Sequence, residues 1–135
     1  EFENILSESP LEKYLELSIN KNIIKYDTKI DENNYIIKDN EDTSKNVFIK
    51  YITLVDFLKY LIGKYKNDNL EILPGEIINK ESNYEKYINN NNNYAYIDGF
   101  FYYLSSILLN KHNFIHGINC YDSFICKKHK CKIII

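Results

Sequence analysis

Apolar residues recur along this chain with two periods. Over residues 23–30 and 35–38 they form short β-branched and aromatic runs, separated by Asp31-Glu32-Asn33-Asn34. That spacing predicts two strands joined by a short polar loop. A second polar stretch, residues 41–46, leads into Val47-Phe48-Ile49-Lys50-Tyr51-Ile52, the clearest strand of the sequence. The period then changes. Leu54, Phe57, Leu58, Leu61, Ile62 and Tyr65 repeat at three and four, which predicts a helix from a Thr53 cap to about Tyr65, with Asp56 in its first turn. Ile97, Phe100, Phe101, Leu104, Ile107 and Leu108 predict another over residues 94–110.

The remaining segments punctuate this pattern. Ser9-Pro10-Leu11-Glu12 reads as a capped helix start, with Leu11, Tyr14, Leu15 and Ile19 on one face and an end near residues 20–22. Residues 66–93 are the least patterned. Leu73-Pro74-Gly75 marks a turn, residues 82–88 suit a short helix, and the asparagine run from Asn89 to Asn93 ends it. A mobile insertion is expected there. Residues 113–117 break the 94–110 helix. Residues 118–126 and 131–135 then predict two antiparallel strands joined by a lysine-rich turn. The fold class expected is α+β: a small antiparallel sheet with helices packed on one side. The organisation expected is an N-terminal helix and hairpin over residues 1–46, followed by a second unit over 47–135.

Composition refines this picture. The 135 residues are 44% hydrophobic and 15% aromatic, enough apolar material for one core. All 17 basic residues are lysines, Ala95 is the only alanine, and Asn, Ile, Lys and Tyr dominate. That alphabet is the mark of an AT-rich genome. The chain begins Glu1-Phe2-Glu3 and ends Ile133-Ile134-Ile135, an apolar strand that needs cover. It therefore reads as a piece of a longer product.

Charge excludes some partners. The net charge is −2 with both signs interspersed, and the only basic cluster is Lys127, Lys128, His129, Lys130 and Lys132. A solvated turn accounts for it, so nucleic acid is not expected as a partner. No apolar run reaches membrane-spanning length, and nothing at the N-terminus reads as a signal peptide. Three cysteines make an odd count, which argues against a disulfide framework. Cys120, Cys126, His129 and Cys131 fall within twelve positions, but not at paired zinc-ligand spacing. Buried thiols and a solvated His129 are the reading taken, and no zinc is expected. Asp98 and Asp122 read as single acids, His112 and His116 as structural residues at a helix end, and Tyr102 and Tyr103 as core and rim.

Three stretches carry a resemblance. Phe48-Ile49-Lys50 leads to Leu54-Val55-Asp56 and Leu61-Ile62-Gly63-Lys64-Tyr65. The second is Tyr96-Ile97-Asp98-Gly99-Phe100-Phe101-Tyr102-Tyr103-Leu104-Ser105-Ser106. The third is Phe114-Ile115-His116-Gly117, leading to Tyr121-Asp122-Ser123-Phe124. Together they resemble the serine/threonine protein kinase-like family of large nucleocytoplasmic DNA viruses, over roughly residues 47–135. Val47-Phe48-Ile49-Lys50 stands where a kinase small lobe carries its Val-Ala-Ile-Lys strand.

The resemblance implies a kinase small-lobe-like fold and a Lys50 that contacts nucleotide phosphates and pairs with a helix carboxylate. It implies ATP and magnesium as ligands, and a virion or host-cytoplasm location. The departures are specific. No Gly-rich loop precedes Lys50, and without arginine the H-R-D motif is impossible in these residues. No catalytic residue is therefore assigned. The expected partners are the rest of its own chain or other subunits of a large assembly. The function expected is part of a viral kinase or kinase-like protein. The alternative is a non-catalytic structural component of a virion or another large assembly.

Overall fold

A computed structural model describes residues 9–13 and 23–127. Within these the architecture is α+β. A three-stranded antiparallel sheet comes first, and three helices follow it in the chain. The strands are β1 (Ile23–Lys29), β2 (Asn34–Asp39) and β3 (Ser44–Phe48), in the spatial order of the sequence. The helices are α1 (Phe57–Leu61), α2 (Asn83–Ile88) and α3 (Tyr94–His112). Residues 10–13 are also helical, and the Ser9 hydroxyl accepts from the Glu12 amide at 3.5 Å as the capping pattern predicts. The rest of that predicted helix lies outside the described residues. So do His129, Cys131 and the strand expected over 131–135.

Turn chemistry sets the sheet. Asp31 closes the β1–β2 loop, accepting from the Asn33 and Asn34 amides at 2.9 and 2.8 Å. Asp39 closes the β2–β3 turn, accepting from the Glu41 and Thr43 amides at 3.0 Å each, with Asp42 left-handed at φ 58°. The second turn fixes the register: Lys38 faces Ser44, Ile37 faces Lys45 and Tyr35 faces Val47. Ile37 is fully buried on that face, and the Asp39 carboxylate meets the Lys45 ammonium at 2.7 Å.

This register corrects the third strand. The apolar run predicted residues 47–52, but pairing begins at polar Ser44 and ends at Phe48, which faces Asn34 at the start of β2. Beyond Phe48 no β2 residue is left to pair. Hydrogen bonding to a partner, more than side-chain character, defines a strand end.

The helix after it is corrected too. The cap is Asp56, whose carboxylate accepts from the Lys59 amide at 3.1 Å, and α1 stops at Leu61. Gly63 follows at φ +76°, a left-handed turn that glycine adopts without a Cβ clash. Leu58, Leu61 and Ile62 are exposed, so of the predicted apolar stripe only its ends, Leu54 and Tyr65, join a core cluster.

The tightest apolar cluster sits downstream. Tyr65, Ile72, Tyr84 and Ile88 are buried together, with Leu54 and Val55 packed against them. Ile88 is fully buried, a burial that contributes roughly 1.5–3 kcal/mol. Tyr65 and Tyr84 meet edge to face at 6.1 Å, and the Tyr84 hydroxyl donates to the Leu70 carbonyl at 3.1 Å. The short helix expected over 82–88 forms as α2, and Ser82 caps it, accepting from the Glu85 amide at 3.2 Å. Glu85 is itself buried, and accepts from the Ile78 and Asn79 amides at 2.8 and 2.9 Å. The segment with the weakest sequence pattern therefore carries much of the described core.

Helix α3 forms where it was predicted and extends to His112, but Ile97 and Phe101 of the predicted stripe are exposed, and Tyr96 and Ile107 are its buried residues. Asn93 caps it at one end and Asn113, at φ 55°, terminates it at the other. The strand predicted over 118–126 is absent. Its polar groups are satisfied against α3 and locally: the Ile118 amide donates to Ser105 Oγ at 2.7 Å, and the Ser123 amide to Asp122 Oδ1 at 2.8 Å. The segment returns to the sheet through side chains, with Phe124 edge-on to Tyr26 at 6.4 Å and Lys45 over the Tyr121 ring at 5.4 Å.

Candidate functional site

Lys50 stands two residues past the end of β3, and the β1–β2 loop holds its approach. The Ile49 amide donates to the Asn33 carbonyl at 2.6 Å, and Asn33 Nδ2 donates back to the Ile49 carbonyl at 2.8 Å. This two-bond clamp fixes the backbone immediately before Lys50. On its other side Tyr51 is hydrogen-bonded to Tyr35, which with burial pushes the Tyr51 hydroxyl up to about 12.

The opposing groups come from α3. Lys50 Nζ lies 2.9 Å from Asp98 Oδ1 and 3.0 Å from Asp98 Oδ2, so one ammonium bridges both carboxylate oxygens. It also lies 3.5 Å from the Tyr102 hydroxyl and 5.1 Å from the centre of the Tyr102 ring. Asp98 and Tyr102 are four residues apart, which places both side chains on one face of the helix. The cation is thus held by a carboxylate, a hydroxyl and an aromatic face at once.

The electrostatics follow from this geometry. The hydrogen bond to Asp98 raises the Lys50 ammonium above its ordinary range, and the Tyr102 hydroxyl adds to it, against a smaller opposing effect of burial. Lys50 is therefore a fixed cation at neutral pH. It is neither a general base nor an amine nucleophile, since both need the deprotonated form. The Lys50 side chain is 43% exposed and that of Asp98 only 14%, so the cation faces out while its counter-ion is covered. A half-exposed cation of this kind can meet an anionic oxygen without leaving its carboxylate.

The other candidate residues do not join it. Cys120 is half-buried, its thiol is raised by burial and by Asp122, and it contacts the Asp122 carbonyl at 3.8 Å. That thiol is disfavoured as a thiolate, the form that reacts or binds metal. Cys126 is exposed. His116 is edge-on to Phe114 at 5.7 Å, and His112 lies in the last turn of α3. Among the described residues no group of three or more histidine, cysteine, aspartate or glutamate side chains is arranged to hold a metal ion.

Sequence reasoning reached Lys50 but passed over its partners. Asp98 reads as an isolated acid because its partner is 48 residues away. Tyr102 reads as core material because it sits among aromatics. The usable signal was the i, i+4 spacing of an acid and a tyrosine on the strongest helix. Comparison with known proteins gives no matching family model, no matching curated protein and no matching solved structure.

Proposed function

We propose that this chain is a kinase-like small lobe, part of a viral serine/threonine kinase or kinase-like protein, in which Lys50 presents a fixed positive charge to nucleotide phosphates. The observation that carries this reading is the bridged contact between Lys50 and both oxygens of Asp98, at 2.9 and 3.0 Å. Kinase small lobes orient phosphates with a strand lysine ion-paired to a helix acid, and here the lysine lies just past the strand. Asp98 takes the place of the usual glutamate on α3, and the Tyr102 ring stiffens the lysine further.

The fit to ATP is partial. Lys50 suits a phosphate oxygen in charge and exposure. The β1–β2 loop does not suit one: the Asn33 and Asn34 amides that would face phosphates donate instead to Asp31, whose carboxylate would repel them. That observation favours a second reading, a non-catalytic structural component of a virion or large assembly, in which the Lys50–Asp98 pair only ties sheet to helix.

Equilibrium binding of Mg–ATP to the full chain separates the two. A nucleotide role predicts saturable binding, lost in Lys50→Met and weakened in Asp98→Asn, with the fold intact by circular dichroism. Absence of saturable binding, or equal affinity in Lys50→Met, refutes the nucleotide role and leaves the structural one.

A further inference from the structure

Cations converge a second time, in a cleft of about 280 Å³ that shares no residue with the Lys50 site. Lys59, Lys64 and Lys86 line it, with Tyr65, Tyr87 and two asparagines. Every one of these side chains can donate a hydrogen bond, and no carboxylate lines the cleft.

The lysines are only loosely engaged. Lys59 Nζ lies 3.7 Å from Asp56 and over the Tyr87 ring at 5.4 Å. Lys86 Nζ lies 3.9 Å from Glu81, a side chain 91% exposed, at the outer limit of an ion pair. Lys64 has no ion pair among the described residues.

Tyr65 supplies the independent observation. It is 3% exposed, and its buried hydroxyl has no hydrogen-bond partner among the described residues. Buried hydroxyls are almost always paired, and Tyr65 lines this cleft. Burial first, then Asp56, Tyr87 and Asp68, raise this hydroxyl above its ordinary range, so it stays a donor at neutral pH. Those two acids are already engaged: Asp56 accepts from the Lys59 amide at 3.1 Å and Asp68 from the Tyr84 amide at 3.0 Å. What the cleft lacks is an anionic group of its own.

We propose that this cleft binds an oxyanion of the phosphate class, with Lys59, Lys64 and Lys86 supplying charge and the Tyr65 hydroxyl a buried hydrogen bond. Three amines from three separate backbone positions suit several oxygens around one centre better than a planar carboxylate. The volume suits one or two phosphoryl groups. This inference is independent of any nucleotide role for Lys50.

The test titrates the full chain with inorganic phosphate and with pyrophosphate at constant ionic strength, followed by amide NMR. The expected result is saturable shifts confined to residues 59–65 and 83–90. Lys64→Ala combined with Lys86→Ala should weaken binding by about tenfold or more, from the loss of two charge-assisted contacts. Tyr65→Phe should weaken it by roughly tenfold, from the loss of a hydrogen bond to a charged acceptor. The unliganded Tyr65→Phe protein should unfold at an equal or higher urea concentration, because an unpaired buried hydroxyl has been removed. Lys50→Met should leave the titration unchanged. The proposal is overturned by non-saturable shifts, by equal shifts with acetate, or by full affinity in the lysine double variant or in Tyr65→Phe. Weakening by Lys50→Met alone would also overturn it, by moving the anion to the other site.

Discussion

Asn93 is the joint on which the placement of Asp98 depends, and its replacement gives the sharpest test of the fold. The residue is 4% exposed. Its carboxamide oxygen accepts from the Ala95 amide at 3.1 Å, which caps α3. Its Nδ2 donates to the Leu54 carbonyl at 2.9 Å and to the Tyr87 carbonyl at 3.2 Å. One side chain thus links the segment after Lys50, the end of α2 and the start of α3. Replacement by alanine removes the cap, at about 1 kcal/mol. It leaves the part-buried Leu54 carbonyl without this donor, at about 1–2 kcal/mol. The Tyr87 carbonyl still accepts from the Asn90 amide at 3.3 Å, so its share is small. Asn93→Ala should therefore cost about 2–3 kcal/mol, or on the order of 10 °C in Tm for a chain of this size. Asn93→Ser keeps the cap but cannot span both carbonyls, and should lose about 1–2 kcal/mol. Asn92→Ala, in the same exposed turn, should stay within about 0.5 kcal/mol. Urea unfolding with unchanged m-values measures all three. If Asn93→Ser is as stable as the parent, the donor bonds contribute nothing and the joint is only a helix cap. If Asn93→Ala costs no more than Asn92→Ala, the reasoning fails entirely.

Two further outcomes follow from local geometry. A Cβ on Gly117 would stand 2.8 Å from the Ser105 carbonyl oxygen and 2.9 Å from Leu109 Cβ, so Gly117→Ala must push the segment off α3. It should cost about 1–3 kcal/mol in urea unfolding, and a neutral result would mean that this close approach is not present in solution. Asp39 is held below the ordinary carboxylate range, first by Lys45 and then by the Thr43 and Glu41 amides, against a smaller opposing effect of burial. Because its folded pKa is lowered, its stabilisation is complete above about pH 4 and disappears as pH falls through the lowered value. Urea midpoints between pH 2 and 6 should therefore fall less steeply in Asp39→Asn than in the parent, and parallel curves would contradict the assignment.

The parts of the fold legible in the sequence were those decided locally. The β1–β2 hairpin was legible because Asp31-Glu32-Asn33-Asn34 carries its own turn chemistry. Helix α3 was legible over 94–110 because apolar residues recur there at three and four, although its asparagine caps were not read. The short helix α2 was legible too, but not its Ser82 cap. The misreadings share one cause, a partner distant in sequence. β3 runs from Ser44 because the Asp39 turn sets its register against β2, and this outweighs the low strand propensity of Ser44-Lys45-Asn46. Residues 118–126 have strand-like composition but satisfy their amides on Ser105 and Asp122. The cap of α1 moved from Thr53 to Asp56 because the chain between them carries Leu54 and Val55 to the Tyr65 cluster before the helix can start.

The same distinction separates the two halves of the candidate site. Lys50 could be singled out because a lysine ending an apolar run is a local feature. Asp98 is marked locally only by its i, i+4 spacing to Tyr102, and its pairing with Lys50 is created by the path of the chain between them. That path runs through the Tyr65–Ile72–Tyr84–Ile88 cluster and the Asn93 joint. The segment with the weakest periodicity thus holds α3 at the distance where one ammonium meets both carboxylate oxygens. An asparagine-rich stretch gives no apolar rhythm because its work is done by amide hydrogen bonds. Asn89 donates to the Glu76 carbonyl at 3.0 Å and accepts from the Gly75 amide at 2.7 Å. In a chain with this composition, carboxamide networks take over the positioning that apolar contacts supply elsewhere, and a hydrophobic-pattern reading is blind to them.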